Sequence, residues 1–509
     1  MSFDIEKPLS KVEYLYDNAS MRRARPTRPS SDYDRAYLDN NPLKASRDPC
    51  RSTPLQRNGN ASSSDLKELF SRFDIESKVI PWDIIARTRE LCAKYLSGSW
   101  NKVTPQRFRL KAITGGMSNL LFLVEMPDDI EPVSTEPRSA LLRIHCNVDL
   151  EHLLNESVVF TLLSERALGP KLLGVFPGGR FEQYIPSRPL LCHELSLPSI
   201  SRRIGCLLAR VHALDVPIMK EPMIVEVAEG WLAKLRKVES KVAHKMRLNT
   251  VQVDLSKCPG EITCELLSDE LDLLRECLEN SNSPLVFCHN DLQEGNILLH
   301  NKYKIDSEGN LDVKEGEEPL VLIDFEYANY NYRGFDFSNH ICERILDYSD
   351  NKPPYYSIKQ HQFPDENDQS VLFNAYLDEL EQMTNNGSED RRPPYFVCEL
   401  PKRREEAVEQ LLTETRRFIA VSHLFWSVWS FMQAEESPIE FDYLDEVRFL
   451  LRFKDDSKNV TNLSEHLNLL MHSCCIVRSV DKICLPFLRS SIIPNDLRRL
   501  FLLEGRAAA

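Results

Sequence analysis

Two stretches of this chain carry residues whose types and spacing could do chemistry. Residues 286–300 read VFCHNDLQEGNILLH and residues 320–337 read LVLIDFEYANYNYRGFDF. The first is expected to be an apolar strand, a loop carrying His289, Asp291 and Asn296, and a second apolar strand. The second is a strand-type run that delivers Asp324 at its end. Asp, then Asn five residues on, then Asp at the end of a later strand is the arrangement that phosphoryl transfer needs. One carboxylate accepts the proton of a substrate hydroxyl, while an amide oxygen and a second carboxylate hold magnesium against the phosphates. On this reading Asp291 is the base, Asn296 and Asp324 are the magnesium ligands, and His289 orders the loop by hydrogen bonding without transferring protons. An H-x-D-x-x-x-x-N pattern alone arises by chance in loops. The flanking apolar strands and the IDFE that follows are what argue for an enzyme of kinase type.

Such a loop needs a lobe that holds a nucleotide. Residues 108–143 offer three strands, RFRLKAI, LLFLVEM and ALLRIH, with TGGMSN as the tight turn between the first two. Glycines there, Gly116 among them, let backbone N–H groups approach phosphate, and Ser118 and Asn119 add donors. A plain hairpin turn accounts for the glycines equally well. Arg143, on the third strand, is the candidate cation for the nucleotide phosphates. Glu156, on a helix expected over 155–168, is the candidate carboxylate to hold it. A surface arginine and a solvated helix glutamate are the alternative. Residues 171–190 read as a hairpin and connector, and amphipathic helices over 195–214 and 228–244 open a helical second lobe. Three segments look inserted: 301–319 (a long hairpin tip), 349–364, and the polar linker 385–394.

The aromatic residues speak to the substrate. Trp426 and Trp429 lie three apart and share one helical face, and Tyr327, Tyr330, Tyr332 and Tyr348 flank the Asp324 segment. A quaternary ammonium has no N–H to donate, so it is recognised by electron-rich ring faces with a carboxylate nearby. Glu343 is the candidate carboxylate. Two tryptophans at helical spacing are otherwise ordinary core residues; beside the phosphoryl-transfer motif the cage reading is favoured.

The 509 residues suffice for two lobes with extensions, and a formal charge of −14 argues against a nucleic-acid partner. The fourteen cysteines form no CxxC pair. With no secretory signal and no apolar run long enough for a transmembrane segment, they are expected to be reduced thiols in a cytoplasmic protein, where the sequon at 459–461 has no meaning. Residues 1–64 are rich in Arg, Pro, Ser and Asn and are expected to be a disordered tail. Order should begin near Ser64. The expected division is a nucleotide-binding lobe over 65–186, a catalytic and substrate lobe over 187–450, and an extension over 451–509, with helices at 463–477 and 495–503.

GGMSN, HNDLQEGN, IDFEYANYNYRGFDFSNHICE and the two-tryptophan helix together resemble the choline/ethanolamine kinase family over approximately 66–443. The resemblance implies an α+β, two-lobed protein-kinase-like fold, with an antiparallel sheet lobe and a larger, mainly helical lobe. It also implies transfer of the ATP γ-phosphate to the hydroxyl of choline or ethanolamine, at the start of the CDP-choline or CDP-ethanolamine route. Magnesium dependence, a homodimer and a cytoplasmic location come with it. By the same resemblance Gln293 lies beside the base, with Glu326 near the metal ligands, and Gly116, Ser118, Asn119 and Arg143 contact phosphates. Gln183 and Ile185 form the hinge that reads adenine through backbone groups, and Tyr327, Glu343, Tyr348, Trp426, Trp429 and Phe441 line the choline pocket. The chain departs from the pattern at Glu446, where the family has an aromatic residue; Tyr443 is a candidate replacement. Choline is the first expectation and ethanolamine the second. A catalytically inactive choline-binding or scaffold module is the reading from another class. A protein-serine/threonine kinase is disfavoured by IDFE in place of D-F-G and by the lack of a strand lysine.

Overall fold

The computed structural model describes residues 63–70, 73, 79–113, 119–145, 150–237, 246–247, 261–279, 281–314, 316–349, 355–386, 394, 397 and 399–436. Residues 1–62 of the expected tail, the turn residues Gly116 and Ser118, the residues Phe441, Tyr443 and Glu446, and the extension over 451–509 lie outside these, while Ser63 and Ser64, expected to end the tail, open a helix.

Helices α1 (Ser63–Phe70) and α2 (Trp82–Tyr95) precede a five-stranded antiparallel sheet of order β1-β2-β3-β5-β4. Its strands are β1 (Arg109–Ile113), β2 (Asn119–Glu125), β3 (Ser139–His145), β4 (Leu172–Phe176) and β5 (Gly179–Gln183). Alternation places Ala140, Leu142 and Ile144 of β3 and Phe181 of β5 on one buried face, against Phe70, Leu91 and Trp100. The other face carries polar groups. Arg143 lies directly opposite Arg180, and Glu182 follows two residues along on the same side. Helix α3 (Leu150–Glu165) spans the loop between β3 and β4. It begins five residues before the helix expected at 155–168 and ends earlier, where Ala167 takes a positive φ of 56° that a regular helix cannot continue through.

After the short strand β6 (Ser187–Pro189) the chain is mainly helical. Helix α4 (Pro198–His212) starts with proline in its first turn, a position where the missing N–H costs nothing. Helix α5 (Ile224–Leu235) begins ahead of the expected 228–244, and β7 (Met246–Arg247) pairs with β8 (Glu261–Ile262). Helices α6 (Cys264–Glu279), α7 (Arg333–Glu343), α8 (Glu366–Asn386) and α9 (Arg404–Glu436) complete the lobe, with the two-residue strands β13 (Leu346–Asp347) and β14 (Ser357–Ile358). Gly205 lets α4 meet α8 backbone to backbone: a Cβ there would lie 2.4 Å from the Leu372 carbonyl oxygen. Beneath α7, Arg333 is fully buried and its guanidinium donates to both oxygens of Glu414, at 3.1 and 2.8 Å.

Four short strands set up the site. β9 (Leu285–Cys288) pairs with β12 (Asn329–Tyr332), while β10 (Ile297–His300) pairs with β11 (Leu320–Leu322) and with β6. The loop from β9 to β10 and the turn from β11 to β12 are thereby forced side by side. The segment 301–319 joins β10 to β11, as a hairpin connection should.

One consequence for stability follows from α6. Glu270 is 5 % exposed and one of its carboxylate oxygens has no hydrogen-bond partner. Burial, with a smaller contribution from Asp269, pushes its carboxyl from 4.5 up to about 7. The folded state therefore keeps this proton to a higher pH than the unfolded chain, and stability falls as pH rises between those two values. Glu270→Gln should remove that slope and stabilise the protein near pH ~8 by on the order of 2 kcal/mol. Denaturant unfolding near pH ~5 and ~8 reads it; equal slopes in both proteins would show that Glu270 ionises without penalty.

Candidate active site

The loop after β9 is held by its backbone. Asp336, in the first turn of α7 and fully buried, accepts from the N–H of His289 at 2.9 Å and of Asn290 at 2.8 Å. The same carboxylate meets His212 Nε2 at 3.1 Å, and His212 Nδ1 lies 3.1 Å from the Tyr376 hydroxyl. Burial pushes the Asp336 carboxyl up, but the His212 ring and these donors outweigh it and hold it below the ordinary carboxylate range. Cys288 brings its sulfur into the same knot, so that His212, Cys288 and Asp336 have potential ligand atoms within 4.8 Å of one another. Both Asp336 oxygens already accept hydrogen bonds, so the group reads as a structural tie and not a metal centre.

Two residues in this region sit in the left-handed conformation without being glycine: Asn290 at φ 66° and Asp324 at φ 63°. Each is over-determined by its neighbours. The Asn290 side chain donates to the Tyr327 carbonyl at 2.9 Å and accepts from Asn331 at 2.8 Å, tying the loop to the β11–β12 turn. The Ile323 N–H donates to the Asn296 carbonyl at 3.0 Å, which fixes Asp324 one residue from Asn296.

His289 is fully buried. Its Nε2 reaches the Ile323 carbonyl at 3.0 Å, so that nitrogen carries the hydrogen, and Nδ1 accepts from the Asp291 N–H at 3.3 Å. Burial lowers its pKa and keeps the ring neutral. Asn296 donates through Nδ2 to the Asp291 carbonyl at 2.9 Å and to its carboxylate at 2.8 Å. Burial first, then the carboxylates of Asp324 and Glu326, push the Asp291 carboxyl up to about 8. Gln293 turns back to accept from the Gly295 N–H at 2.9 Å, capping the short helical turn Glu294–Asn296.

The cluster expected to meet phosphate differs from the expectation in its pairing. Arg143 donates through Nε to Glu182 at 2.7 Å, and Glu156 instead accepts from Arg180 at 2.8 Å. Arg180 also donates to Glu182 at 2.7 Å and stacks over the Phe160 ring at 4.2 Å. The reason lies in the register. Two arginines directly opposite on adjacent strands repel, and the carboxylate two residues along β5 lies between them. Burial lowers the Arg143 pKa, but Glu182 outweighs it and, with help from Asp324, holds it above its ordinary value. At the connector, Gln183 accepts from the Lys171 N–H at 3.2 Å, and the Ile185 carbonyl accepts from the Ser187 hydroxyl at 2.8 Å. Asn119 heads β2.

Three of the expected aromatic residues converge. The Trp426 ring stands edge-on to Tyr327 (5.4 Å, 80°) and to Trp429 (5.6 Å, 79°). Trp429 Nε1 donates to the Tyr327 hydroxyl at 2.8 Å. All three are only partly buried, which leaves ring surface to a ligand. Tyr348 is joined to the catalytic loop by its N–H, 3.4 Å from Glu294 Oε1, and Glu343 is 6 % exposed at the end of α7. Tyr330 and Tyr332 do not join the group. Tyr330 packs on Phe287 with its hydroxyl at the Val216 backbone, and Tyr332 packs on Phe418.

The family model for choline/ethanolamine kinase matches residues 110–454. The chain belongs to the choline/ethanolamine kinase family. It is 41% identical over 425 residues to choline kinase A2 of Caenorhabditis elegans, covering 79% of this chain and 92% of that one. It is 38% identical over 374 residues to the human choline/ethanolamine kinase, covering 73% and 85%. The solved choline kinase of Cryptosporidium parvum superposes with a TM-score of 0.56 at 23% identity, covering 80% of this chain and 99% of that one. The fold is the two-lobed, protein-kinase-like α+β fold of these phosphotransferases. The chain is thus an enzyme, an ATP-dependent kinase of choline or ethanolamine, with a place in phospholipid head-group synthesis.

Sequence reasoning passed over the residues that hold this kinase's site together. Asp336 stood in plain view in RGFDF, and Arg180 and Glu182 alternate with apolar residues in GRFEQ. Charges at alternate positions of a strand beside a strand arginine are a legible sign of a buried pair. His212 gave none, being one of several polar residues on an amphipathic helix. The Asp336 tie predicts that Asp336→Asn, which replaces one acceptor oxygen by a donor, lowers kcat by about 10²-fold. The KM for ATP should stay nearly constant in steady-state kinetics, and an unchanged kcat would show that the other loop contacts suffice.

Proposed function

We propose that this kinase prefers choline to ethanolamine, and that Asp291 is the base that takes the hydroxyl proton. The observation that carries the substrate reading is the convergence of Tyr327, Trp426 and Trp429 beside the Asp324 turn. Ring faces serve a trimethylammonium, which cannot hydrogen bond, better than they serve a primary ammonium. Glu343 and Tyr348 complete the set, with Phe441 assigned on resemblance.

Asp291, Asn296 and Asp324 fit magnesium: they offer hard oxygens, and after burial, which raises the Asp291 pKa most, the carboxylates of Asp324 and Glu326 raise it further, a negative charge that a cation would offset. Asn296 and Asp324 would hold the ion, which supplies charge neutralisation at the ATP phosphates. Asp291 accepts the hydroxyl proton as the oxygen attacks the γ-phosphorus, and the bond from that phosphorus to the β-phosphate oxygen breaks to release ADP. His289 keeps the loop in place through the Ile323 carbonyl. Arg143, held at Nε by Glu182, turns its terminal nitrogens to phosphate. Gly116, Ser118 and Asn119 are assigned to the same phosphates, Glu156 supports them through Arg180, and Gln183 and Ile185 carry the adenine. Gln293 caps the turn beside the base.

A cytoplasmic homodimer belongs to the same proposal. Among the described residues no helix is long and apolar enough to cross a membrane, and Cys92, Cys192, Cys206, Cys264, Cys288 and Cys342 are free thiols.

The test is turnover with ATP and magnesium, with choline and ethanolamine compared side by side. A preference for ethanolamine would overturn the cage. Asp291→Ala should lower kcat by about 10³-fold or more while ATP binding, followed by calorimetry, persists. An active variant would remove the base assignment. Trp429→Ala should raise the choline KM by about tenfold and the ethanolamine KM far less. Equal effects on the two would refute recognition by ring faces.

A further inference from the structure

Asn339 occupies the middle of α7 and is fully buried. Its Oδ1 accepts two hydrogen bonds from one face of α9: the Trp426 indole N–H at 2.7 Å and the Ser422 hydroxyl at 3.1 Å. Its Nδ2, among the described residues, has no hydrogen-bond partner. The amide is therefore oriented by what it accepts, and its side-chain carbonyl is committed to α9. Trp429 is tied at its own N–H to the Tyr327 hydroxyl, so both indoles have their one polar edge anchored in protein.

The geometry points to Asn339 as a specificity-positioning residue, which sets the plane of Trp426 and through it the selectivity for a quaternary over a primary ammonium. This rests on the reading of Tyr327, Trp426 and Trp429 as the cation site. An indole carries its N–H on one edge only, so the bond to Asn339 selects one of the two ring orientations about χ2. In that orientation Trp426 is nearly perpendicular to both partners, at 80° and 79°. Attraction between a cation and a ring depends on presenting the face, where the quadrupole is negative, and not the edge, where it is positive. A ring released from Asn339 can turn over, and it leaves a partly buried indole N–H without this partner in the present orientation. Both changes weaken recognition by faces. A primary ammonium, which donates N–H bonds to carboxylate, feels them far less. Asn339 touches neither the phosphoryl-transfer loop nor a phosphate-side residue in any hydrogen bond given above, so the effect belongs in KM and not in kcat.

Asn339→Leu removes the acceptor while keeping the branched shape, though at a larger volume, and Asn339→Asp keeps the acceptor. In the full-length chain, with saturating ATP and magnesium, Asn339→Leu should raise the choline KM about tenfold and the ethanolamine KM less than about twofold, with kcat unchanged for both. Asn339→Asp should return the choline KM to near the parent value. Trp426→Phe keeps a ring but deletes the donor, so it tests the same bond from the other helix should Asn339→Leu fail to fold. It should raise the choline KM, and adding Asn339→Leu to it should change the KM little further. Equal rises in both KM values, a fall in kcat at constant KM, or an unchanged choline KM in Trp426→Phe would overturn the inference. If Trp429→Ala raises the choline KM while Asn339→Leu leaves it alone, the positioning role fails and the cage stands. If Trp429→Ala also leaves it alone, the cage itself fails.

Discussion

The buried carboxylate of Asp336 is the constraint on which the rest of the site depends. A phosphoryl-transfer loop must leave its base open to substrate, so the packing of its His289 and Leu292 side chains is supplemented by ties to its backbone. Asp336 solves this from beneath, through two backbone N–H groups that any sequence would offer. A charge taken fully out of water is tolerable only with all its acceptor positions engaged, and the His212 ring, itself braced by Tyr376, supplies the remaining contact. The left-handed Asn290 follows from this. With its own N–H and that of the preceding residue both directed at one carboxylate, the backbone is held in a conformation that asparagine tolerates better than most residues. Asp324, left-handed too, is fixed by the Ile323–Asn296 bond, and the hydrogen bonds of His289 and Asn290 to the Ile323 and Tyr327 carbonyls make the base and metal candidates neighbours.

The sheet lobe solves a second electrostatic problem. Placing Arg143 opposite Arg180 puts two cations on neighbouring strands, and the fold answers with Glu182 between them and Glu156 from α3 beyond. Along this chain of four, charges alternate and cancel. Arg143 spends only Nε on it, so the guanidinium is oriented while its terminal nitrogens have no hydrogen bond to protein among the described residues. A simple Arg143–Glu156 pair would have left Glu182 buried with a single partner, and Arg180 with none on the α3 side.

Much of this architecture is legible in the sequence because it rests on local rules. The strands around Arg143 and Asp324 follow apolar alternation, and the loop chemistry is written in residue types at short spacing. What escapes is contact between elements distant in sequence. Nothing local marks Glu182 over Glu156 as the partner of Arg143; cross-strand register decides it. Nothing local joins His212 to Asp336, 124 residues apart, or Asn339 to Trp426, 87 apart. Tyr330 and Tyr332 mislead for the related reason that proximity to Asp324 in sequence says nothing about direction. Successive residues of β12 face opposite ways, and these two are drawn into apolar packing. Helix ends shift for local but subtle causes, as where the positive φ of Ala167 closes the segment after α3.

The two halves of the site are electrostatically unlike, and that asymmetry suits its two ligands. On the sheet side positive and negative side chains balance, so a triphosphate bound there, as proposed, would meet oriented donors and no large field. On the loop side Asp291, Asp324 and Glu326 crowd together, and the Asp291 pKa is raised first by burial and then by the repulsion of the other two carboxylates. Any cation entering here relieves it, whether a divalent ion at the phosphates or the ammonium of the acceptor alcohol. The acidic loop attracts any ammonium by charge, and the hydrogen bonds its carboxylates can accept come only from a bare one, so it gives no advantage to a methylated ammonium. A preference for the methylated one has to come from groups that carry no net charge. The neighbouring rings are such groups, and their hydrogen-bonded edges mean that the work of orienting them is done before the substrate arrives.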